Sequence, residues 1–197
     1  MTPATHSPAV QVGVLLARRP AELGEWLADA TAFEAAGAAA LWVDPAPDAG
    51  LDPLVLLAAL AALTSRALLV AAPPTDRPPE ALAGTLATVG RLSHGRLALV
   101  TAPDRLEELT AVAPGCERFR RLPATPAAFE RMRGDGEAER WVQAAPPDSR
   151  AAWQSTLAAA ADGGAAGLLV PAGPRLLDIL RHPDDPGGRQ DLQIAQG

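Results

Sequence analysis

The sequence contains no lysine, no asparagine and no tyrosine, so all 17 of its basic residues are arginine. The absence of lysine excludes Schiff-base catalysis, covalent attachment of pyridoxal phosphate and a Walker-type phosphate lysine. The single cysteine, Cys116, cannot form an intramolecular disulfide, which predicts a reducing, cytoplasmic location. The start of the chain has no basic segment followed by an apolar stretch, and the longest apolar run is about half of a membrane span. We therefore expect neither a signal peptide nor a membrane anchor.

The length and charge of the chain favour one acidic domain. Its 197 residues are 48% hydrophobic and carry a formal net charge of −6, with a pI near 5.0. This is enough chain for a single core, and we expect one domain over residues 1–197 with flexible termini at 1–9 and 182–197. A nucleic-acid partner would favour a basic face. The arginines are scattered apart from Arg118, Arg120 and Arg121, so we expect no such partner.

The first hundred residues alternate short apolar segments with segments of helical spacing. Strands are predicted at 10–16, 39–43, 67–71 and 97–101, and helices at 20–36, 53–64 and 79–92. Asp52 followed by Pro53 is a typical helix start. Short connections between nearly continuous apolar strands predict a parallel α/β fold. The pattern alone leaves an open doubly wound sheet and a closed barrel equally allowed.

The second half of the chain is less regular. We predict a helix at 104–113, a loop at 114–126 and a short helix at 125–132 capped by Thr125. The alternation then resumes with strands at 140–144 and 167–171 and helices at 149–161 and 174–180. The total is about six strands, as in a shortened barrel.

The common catalytic motifs are missing. The sequence has neither the G-x-S-x-G nucleophile elbow nor a G-x-G-x-x-G turn after the first strand. No histidine pair has metal-ligand spacing, so we expect no metal site. His94 precedes the fourth strand, at the amino-terminal edge of the predicted sheet, where a structural role is favoured over catalysis.

The carboxyl ends of parallel strands are where ligands bind in α/β folds. Four residues at such positions are our candidates for cofactor or substrate contacts: Asp44, Thr101, Ser149 and Arg175. The alternative for Asp44 is a turn residue before Pro45, and the favoured alternative for Ser149 is a plain helix N-cap. No catalytic residue is identified.

Several spaced segments together resemble the luciferase-like monooxygenase family. They are FEAAG at 33–37 with LWV at 41–43, DP at 52–53, LAALTSR at 60–66, RPP at 77–79 with LA at 82–83, and LSHGRL at 92–97. A weaker similarity covers residues 141–171. The resemblance implies a TIM-barrel-like (β/α) fold, reduced FMN or a deazaflavin coenzyme at the strand carboxyl ends, and oxidation of a small organic substrate. It also predicts that Arg96 pairs with Glu34.

The chain departs from the family at several points. It is shorter, the histidine that often follows the second strand is replaced by Pro45, and the glycine-rich turn after the fourth strand is replaced by 101–103 (TAP). The phosphate-binding glycine segment corresponds to 144–149 (AAPPDS), where prolines remove N–H donors. A second hypothesis is therefore a non-catalytic partner subunit or ligand-binding remnant. An incomplete barrel would leave open sheet edges, which predicts a homodimer or a heterodimer with a full-length relative.

Overall fold

The computed structural model describes residues 10–45, 50–132 and 138–183. The strands are β1 (Gln11–Leu16), β2 (Ala40–Val43), β3 (Leu68–Ala71), β4 (Leu97–Thr101), β5 (Glu117–Leu122), β6 (Ala128–Met132), β7 (Ala138–Gln143) and β8 (Gly167–Pro171). The helices are α1 (Leu23–Ala35), α2 (Pro53–Leu63), α3 (Pro79–Leu92), α4 (Leu106–Val112), α5 (Arg150–Asp162) and α6 (Pro174–Arg181). A 3₁₀ turn, Pro103–Arg105, precedes α4.

The strands form a closed barrel in sequence order, with β8 pairing back onto β1. All pairings are parallel except those of β6, which runs antiparallel to both β5 and β7. The barrel excludes the open doubly wound sheet. It also corrects our expectation of an incomplete barrel, because β5 and β6 add the two strands that the sequence analysis had missed.

The β/α units of the first half form where their local signals place them. The Asp52 carboxylate accepts hydrogen bonds from the N–H groups of Leu54 and Val55 at 2.9 and 3.4 Å, so the predicted cap of α2 is confirmed. Pro79 begins α3 at a position where its missing N–H costs nothing. The strands β2 and β4 are buried along their whole length, as expected for parallel strands covered on both faces.

The segment 114–132 was predicted wrongly as a loop and a short helix. It forms β5, a tight connection and β6, with Leu122 opposite Ala128 and Arg118 opposite Met132. Its sequence alternates in strand fashion: Phe119 faces the barrel interior, while Arg118 and Arg120 face outward. Hydrogen bonding to β4, from which β5 is separated by α4, and to the neighbouring β7 replaces the local helical alternative.

The core has two layers. The inner layer fills the barrel with the side chains of Ala40, Trp42, Val70, Ala98, Val100, Phe119, Phe129, Trp141 and Leu169. The outer layer packs the helices against the strands and includes Phe33, Leu57, Leu86, Trp153 and Leu176. No helix among the described residues is long and apolar enough to cross a membrane. The termini for which we predicted flexibility lie outside the described residues, apart from 182 and 183.

Candidate functional site

Four aromatic rings block the middle of the barrel. The ring centroid of Trp42 lies 4.6 Å from that of Phe119, 5.0 Å from Phe129 and 6.2 Å from Trp141. All four side chains are buried, which confirms core packing as the role of Trp42 and Trp141. A ligand therefore has access to the ends of the barrel but not to its centre.

Two glycines make room for this aromatic layer. A Cβ on Gly167 would lie 2.5 Å from the Trp141 ring, and a Cβ on Gly13 would lie 2.8 Å from the same ring. Both distances are shorter than real contacts allow. Because neither glycine has a side chain, the indole of Trp141 packs directly against the backbone of β1 and β8.

An ionic cluster lies at the amino ends of β5 and β7, beside the carboxyl end of the antiparallel strand β6. Arg131 donates to the carboxylate of Glu117 at 2.6 Å and to that of Glu139 at 3.2 Å. Burial lowers the pKa of Arg131, but the hydrogen bonds and charges of the two glutamates outweigh burial, so its pKa lies above the ordinary value. Arg131 is thus a charged residue held between two carboxylates, which indicates a structural role.

The turn between α2 and β3 is held by a buried carboxylate. Glu34 accepts hydrogen bonds from the backbone N–H groups of Ser65, Arg66 and Ala67 at 2.8–3.1 Å. Burial raises the pKa of Glu34, but these three donors and the charge of Arg96 outweigh it, and the pKa lies below its ordinary value. Glu34 is therefore a structural anion.

Arg96 reaches the same turn from the other side. Its guanidinium donates to the carbonyls of Ala67 and Thr64 at 2.9 and 2.8 Å and to the Thr64 hydroxyl at 3.0 Å. The predicted Glu34–Arg96 contact is corrected accordingly. The two charges interact through space, but in the described residues neither is the other's hydrogen-bond or ion-pair partner. They clamp one turn together because both bind its backbone.

His94 lies in this amino-terminal region as well. It stands in the tight turn between α3 and β4 with a φ of 52°, followed by Gly95 at 81°. Its side chain is exposed at the edge opposite the strand carboxyl ends. The predicted position of His94 at the amino edge of the barrel is confirmed.

The carboxyl ends of the strands surround a small cavity of about 140 Å³ between β3, β4 and β5. Its apolar wall includes Ala72 and Val100, and its polar groups come from Thr75, Thr101, Arg105 and Arg121. We call this the mouth cavity. It lies directly above the aromatic layer, because Val100 lines the cavity and also belongs to the inner core that contains the four rings.

Two of the four predicted site residues lie on this side of the barrel. Thr101 ends β4 and lines the mouth cavity, and its hydroxyl donates to the Ala102 carbonyl at 3.1 Å. Asp44 follows β2 and is half-buried, with its backbone N–H bound to the Leu16 carbonyl at 2.9 Å. Pro45, its neighbour, lines the cavity.

The other two predicted residues lie after β7 and β8, across the barrel from β4. The Ser149 hydroxyl accepts the N–H of Ala152 at 3.1 Å, which makes it the N-cap of α5. The Arg175 guanidinium donates to the Asp148 carbonyl and so joins the β8–α6 connection to the β7–α5 connection. Neither residue lines the mouth cavity. Both side chains make structural bonds within the chain.

Arg121 is a mouth residue that the sequence analysis did not select. It follows Phe119 by two positions on β5, so it shares the inward face, one step nearer the carboxyl end. Its neighbours are engaged: Arg120 pairs with Glu130, and Arg105 donates to the carbonyls of Pro74 and Arg77. Arg121 itself has no hydrogen bond or ion pair within the described parts of the chain. The available signal was its spacing of two residues from Phe119, which becomes informative only once the segment is recognised as a strand.

This arrangement favours binding of an anion over acid–base chemistry. Arg121 is a permanent cation with its donors directed to the mouth, and Thr75 and Thr101 add hydroxyl groups beside it. Within the described ranges, no three histidine, cysteine, aspartate or glutamate side chains are grouped as metal ligands. The site therefore offers a place for a phosphate or carboxylate group of a bound molecule.

The chain was also compared with known proteins. The family model described as luciferase-like monooxygenase matches residues 1–123, which is more than half of the chain and extends through β5. A search of the curated proteins finds no match.

Proposed function

The chain belongs to the luciferase-like monooxygenase family, and on that premise we propose that it is an oxidoreductase using reduced FMN or a deazaflavin coenzyme on a small organic substrate. The family is in general one of flavin-dependent oxidoreductases. Hydride and oxygen chemistry belongs to such a cofactor, and the protein has to bind it, orient it and exclude water. The absence of an acid–base group at the mouth cavity is compatible with this division of work.

The observation that carries the proposal is Arg121. An inward-facing guanidinium that has no hydrogen-bond or ion-pair partner among the described residues, at the carboxyl end of a (β/α) barrel, fits the phosphate group of such a coenzyme. The overall charge of −6 gives the chain little general attraction for anions. A local cation at the mouth is therefore what would select them. Thr75 and Thr101 would hold further phosphate oxygens.

The mouth cavity fits only the phosphate end of such a coenzyme. A cavity of about 140 Å³ is smaller than the roughly 300 Å³ at which small-molecule pockets begin. The mouth cavity alone has no room for the tricyclic ring of a flavin, and Ser149 and Arg175 are occupied by structural bonds. We assign Arg121 to the phosphate end, keep Asp44 and Thr101 as candidates beside it, and assign no residue to the ring.

Binding titrations test the proposal. FMN and a deazaflavin coenzyme, each oxidised and reduced, are added to the purified protein, and binding is followed by absorbance and fluorescence. We expect saturable binding of at least one form at micromolar concentration. Arg121→Ala should weaken it by roughly tenfold, the value of one charge-assisted hydrogen bond.

Arg140→Ala is the matched control. Arg140 is an exposed residue on β7 whose neighbour Trp141 faces the interior, so its own side chain faces outward, away from the mouth. This variant should bind as the unmodified protein does. Folded protein that binds none of the four forms would overturn the enzyme proposal. Equal loss of binding in both variants would overturn the placement at Arg121.

A second candidate function is a non-catalytic partner subunit, and helix α2 favours it. All eleven residues of α2 are apolar (PLVLLAALAAL), although a helix on a barrel surface ordinarily has one polar face. Val55 and Leu63 are 64% and 52% exposed on its outer side, and Leu51 just before it is 47% exposed. We propose that this face is covered by a second copy of the chain or by a full-length relative.

The mass of the protein in solution tests this second candidate. A dimer of the 20.3 kDa chain that Val55→Arg converts to monomer would support self-association through α2. A monomeric chain that binds neither a flavin nor a full-length relative would overturn both candidates. We further propose a cytoplasmic location, because the half-buried Cys116 has no disulfide partner.

A further inference from the structure

A second cavity lies at the opposite end of the barrel from the mouth cavity, and it is about twice as large. Its volume is about 290 Å³, and it is bounded by the last turns of α3, the start of β4 and the α4–β5 connection. We call it the amino-end cavity. The proposed oxidoreductase function does not use it, because the cavity lies outside the barrel, between α3 and the α4–β5 connection at the amino end of β4, and away from the strand carboxyl ends.

The cavity exists because the outer helical layer is short at this point. Helix α4 has only seven residues, ends at Val112 and is followed almost at once by β5, which begins at Glu117. The last turns of α3 therefore face a gap where a longer helix would pack. Leu86 on α3 and Val112 on α4 line the two sides of this gap.

Gly90 keeps the gap open from the side of α3. It lies inside the helix without a positive φ, so the backbone does not require glycine there. A Cβ at this position would meet no atom within 4 Å. Glycine inside a helix costs about 0.5–1 kcal/mol relative to alanine. Because Gly90 lines the cavity, its missing side chain leaves part of the cavity unfilled.

The lining is apolar except at its edge. Arg91 is the charged side chain of the lining, is exposed, and makes no hydrogen bond or ion pair within the described part of the chain. Cys116 lines the inner side and is half-buried. An apolar cavity with one cation at its rim is complementary to a molecule with an apolar body and one acidic group.

We propose that the amino-end cavity binds a small amphipathic anion of the medium-chain carboxylate class. Its hydrocarbon part would lie between Leu86 and Val112, and its carboxylate would be held by Arg91. The volume, close to the lower limit of about 300 Å³ for ligand pockets, favours a chain of this size over a larger molecule.

Cys116 supplies a direct reading of occupancy, because it is the chain's single cysteine. Octanoate is the probe, and the rate of alkylation of Cys116 by a maleimide at fixed pH is the measurement. Burial raises the pKa of the thiol, partly offset by the charge of Arg118, so the reaction is slow enough to follow. We expect octanoate to slow alkylation saturably, below the concentration at which it forms micelles.

Gly90→Leu fills the cavity, and Gly84→Leu is its control. Gly84 lies on the same helix, its Cβ also meets nothing within 4 Å, and it is not part of the lining. Both substitutions raise helix propensity equally. Protection by octanoate should disappear in Gly90→Leu and persist in Gly84→Leu. Protection that is equal in both variants would overturn the proposal, as would its absence in the unmodified protein.

Arg91→Gln tests the charge without filling the cavity. This variant should bind octanoate roughly tenfold more weakly, while binding of the uncharged probe octanol stays as in the unmodified protein. If octanoate binding is unaffected by Arg91→Gln, the cavity does not select an anion and the proposal is wrong. Arg91→Gln changes an exposed residue and not the core. This experiment therefore still decides the proposal if Gly90→Leu fails to fold.

Discussion

Strands β1–β4 and strands β5–β7 form one barrel from residues of different character. In the first group the strands are short apolar runs, such as ALWV in β2 and LALVT in β4, and helices cover their outer faces. In the second group charged residues are interspersed with large apolar ones, as in ERFRRL of β5 and AERWVQ of β7. Among the residues that the structure describes, no helix lies between consecutive strands from β5 to β7.

The difference shows which part of the barrel its closure depends on. Both groups present large apolar side chains to the interior, where Trp42 from one group contacts Phe119 and Phe129 from the other. Their outer faces differ because only the first group is covered. We infer that a shared interior face closes this barrel and that the outer helices are dispensable where the strands carry polar residues outward.

The strongest test of this inference is the removal of a ring from the helix-free group. Phe119→Ala should lower the free energy of unfolding by about 4 kcal/mol, because it deletes a fully buried ring from the common layer. Leu122→Ala, on the outer face of the same strand, should cost about 1 kcal/mol or less. Urea denaturation followed by fluorescence and circular dichroism should show a single transition. Two separate transitions would mean that the groups do not share a core.

The group with helices, β1–β4, contains a buried carboxylate, Glu34, that accepts hydrogen bonds from the backbone of the turn between α2 and β3. Glu34→Ala leaves the buried N–H group of Ala67 and two part-buried N–H groups unpaired and should cost about 3 kcal/mol, whereas Asp29→Ala, at an exposed position of the same helix, should cost little.

The contribution of Glu34 to the free energy of unfolding depends on pH. Because the folded-state pKa of Glu34 lies below its ordinary value of 4.5, the unfolded chain binds the proton more readily. The stability from Glu34 is present in full above that value and is lost as the pH falls towards the folded-state pKa. The difference between Glu34→Gln and the unmodified protein should therefore shrink in acid. A difference that grows in acid would reverse the assigned direction of the pKa shift.

A smaller effect is expected where the two groups meet at Trp141. Gly167→Ala places a methyl group 2.5 Å from the Trp141 ring and should cost about 2 kcal/mol, with a changed near-ultraviolet spectrum. Gly84→Ala, where the new methyl meets nothing, should instead stabilise the protein by up to about 1 kcal/mol. Equal effects of the two substitutions on the thermal midpoint would show that Trp141 does not need a bare strand beside it.

The smallest effect belongs to the outer face of β5–β7. Arg120 pairs with Glu130 there, but their side chains are 41% and 26% exposed. Arg120→Ala should change the free energy of unfolding by less than about 1 kcal/mol. A loss near that of Phe119→Ala would show that outward charge pairs, and not the interior face, hold this part of the barrel closed.

The β/α units were predictable because their signals are local. The Asp52 cap, the proline at the start of α3 and the apolar strands lie within a few residues of the elements they specify. Residues 117–132 were missed because prolines lie on both sides of β5 and its arginines resemble a loop. What makes them strands is pairing: β5 hydrogen-bonds to β4 across the intervening α4, and β6 pairs antiparallel with its neighbours β5 and β7. The patterns typical of helices and of apolar parallel strands indicate neither arrangement.

The candidate site divides in the same way. Thr101 was selected from its position at the end of a well-predicted strand, and the structure places it on the mouth cavity. Arg121 was not selected, because its inward direction follows from a strand that was not recognised. The bond from Arg175 to Asp148 depends on two loops that meet only in the closed barrel. The role of a side chain could not be predicted from the sequence where its partner comes from another unit of the barrel.

The central claim, that Arg121 holds the phosphate end of a flavin-type coenzyme, is tested most directly by pairing each coenzyme with its analogue that lacks the phosphate. For FMN the analogue is riboflavin, and both are titrated in reduced form into the unmodified protein and into Arg121→Ala. We predict that the unmodified protein binds the phosphorylated form roughly tenfold more tightly and that this preference falls to about one in Arg121→Ala. An equal preference in both proteins, or no binding of any reduced coenzyme, would contradict the account.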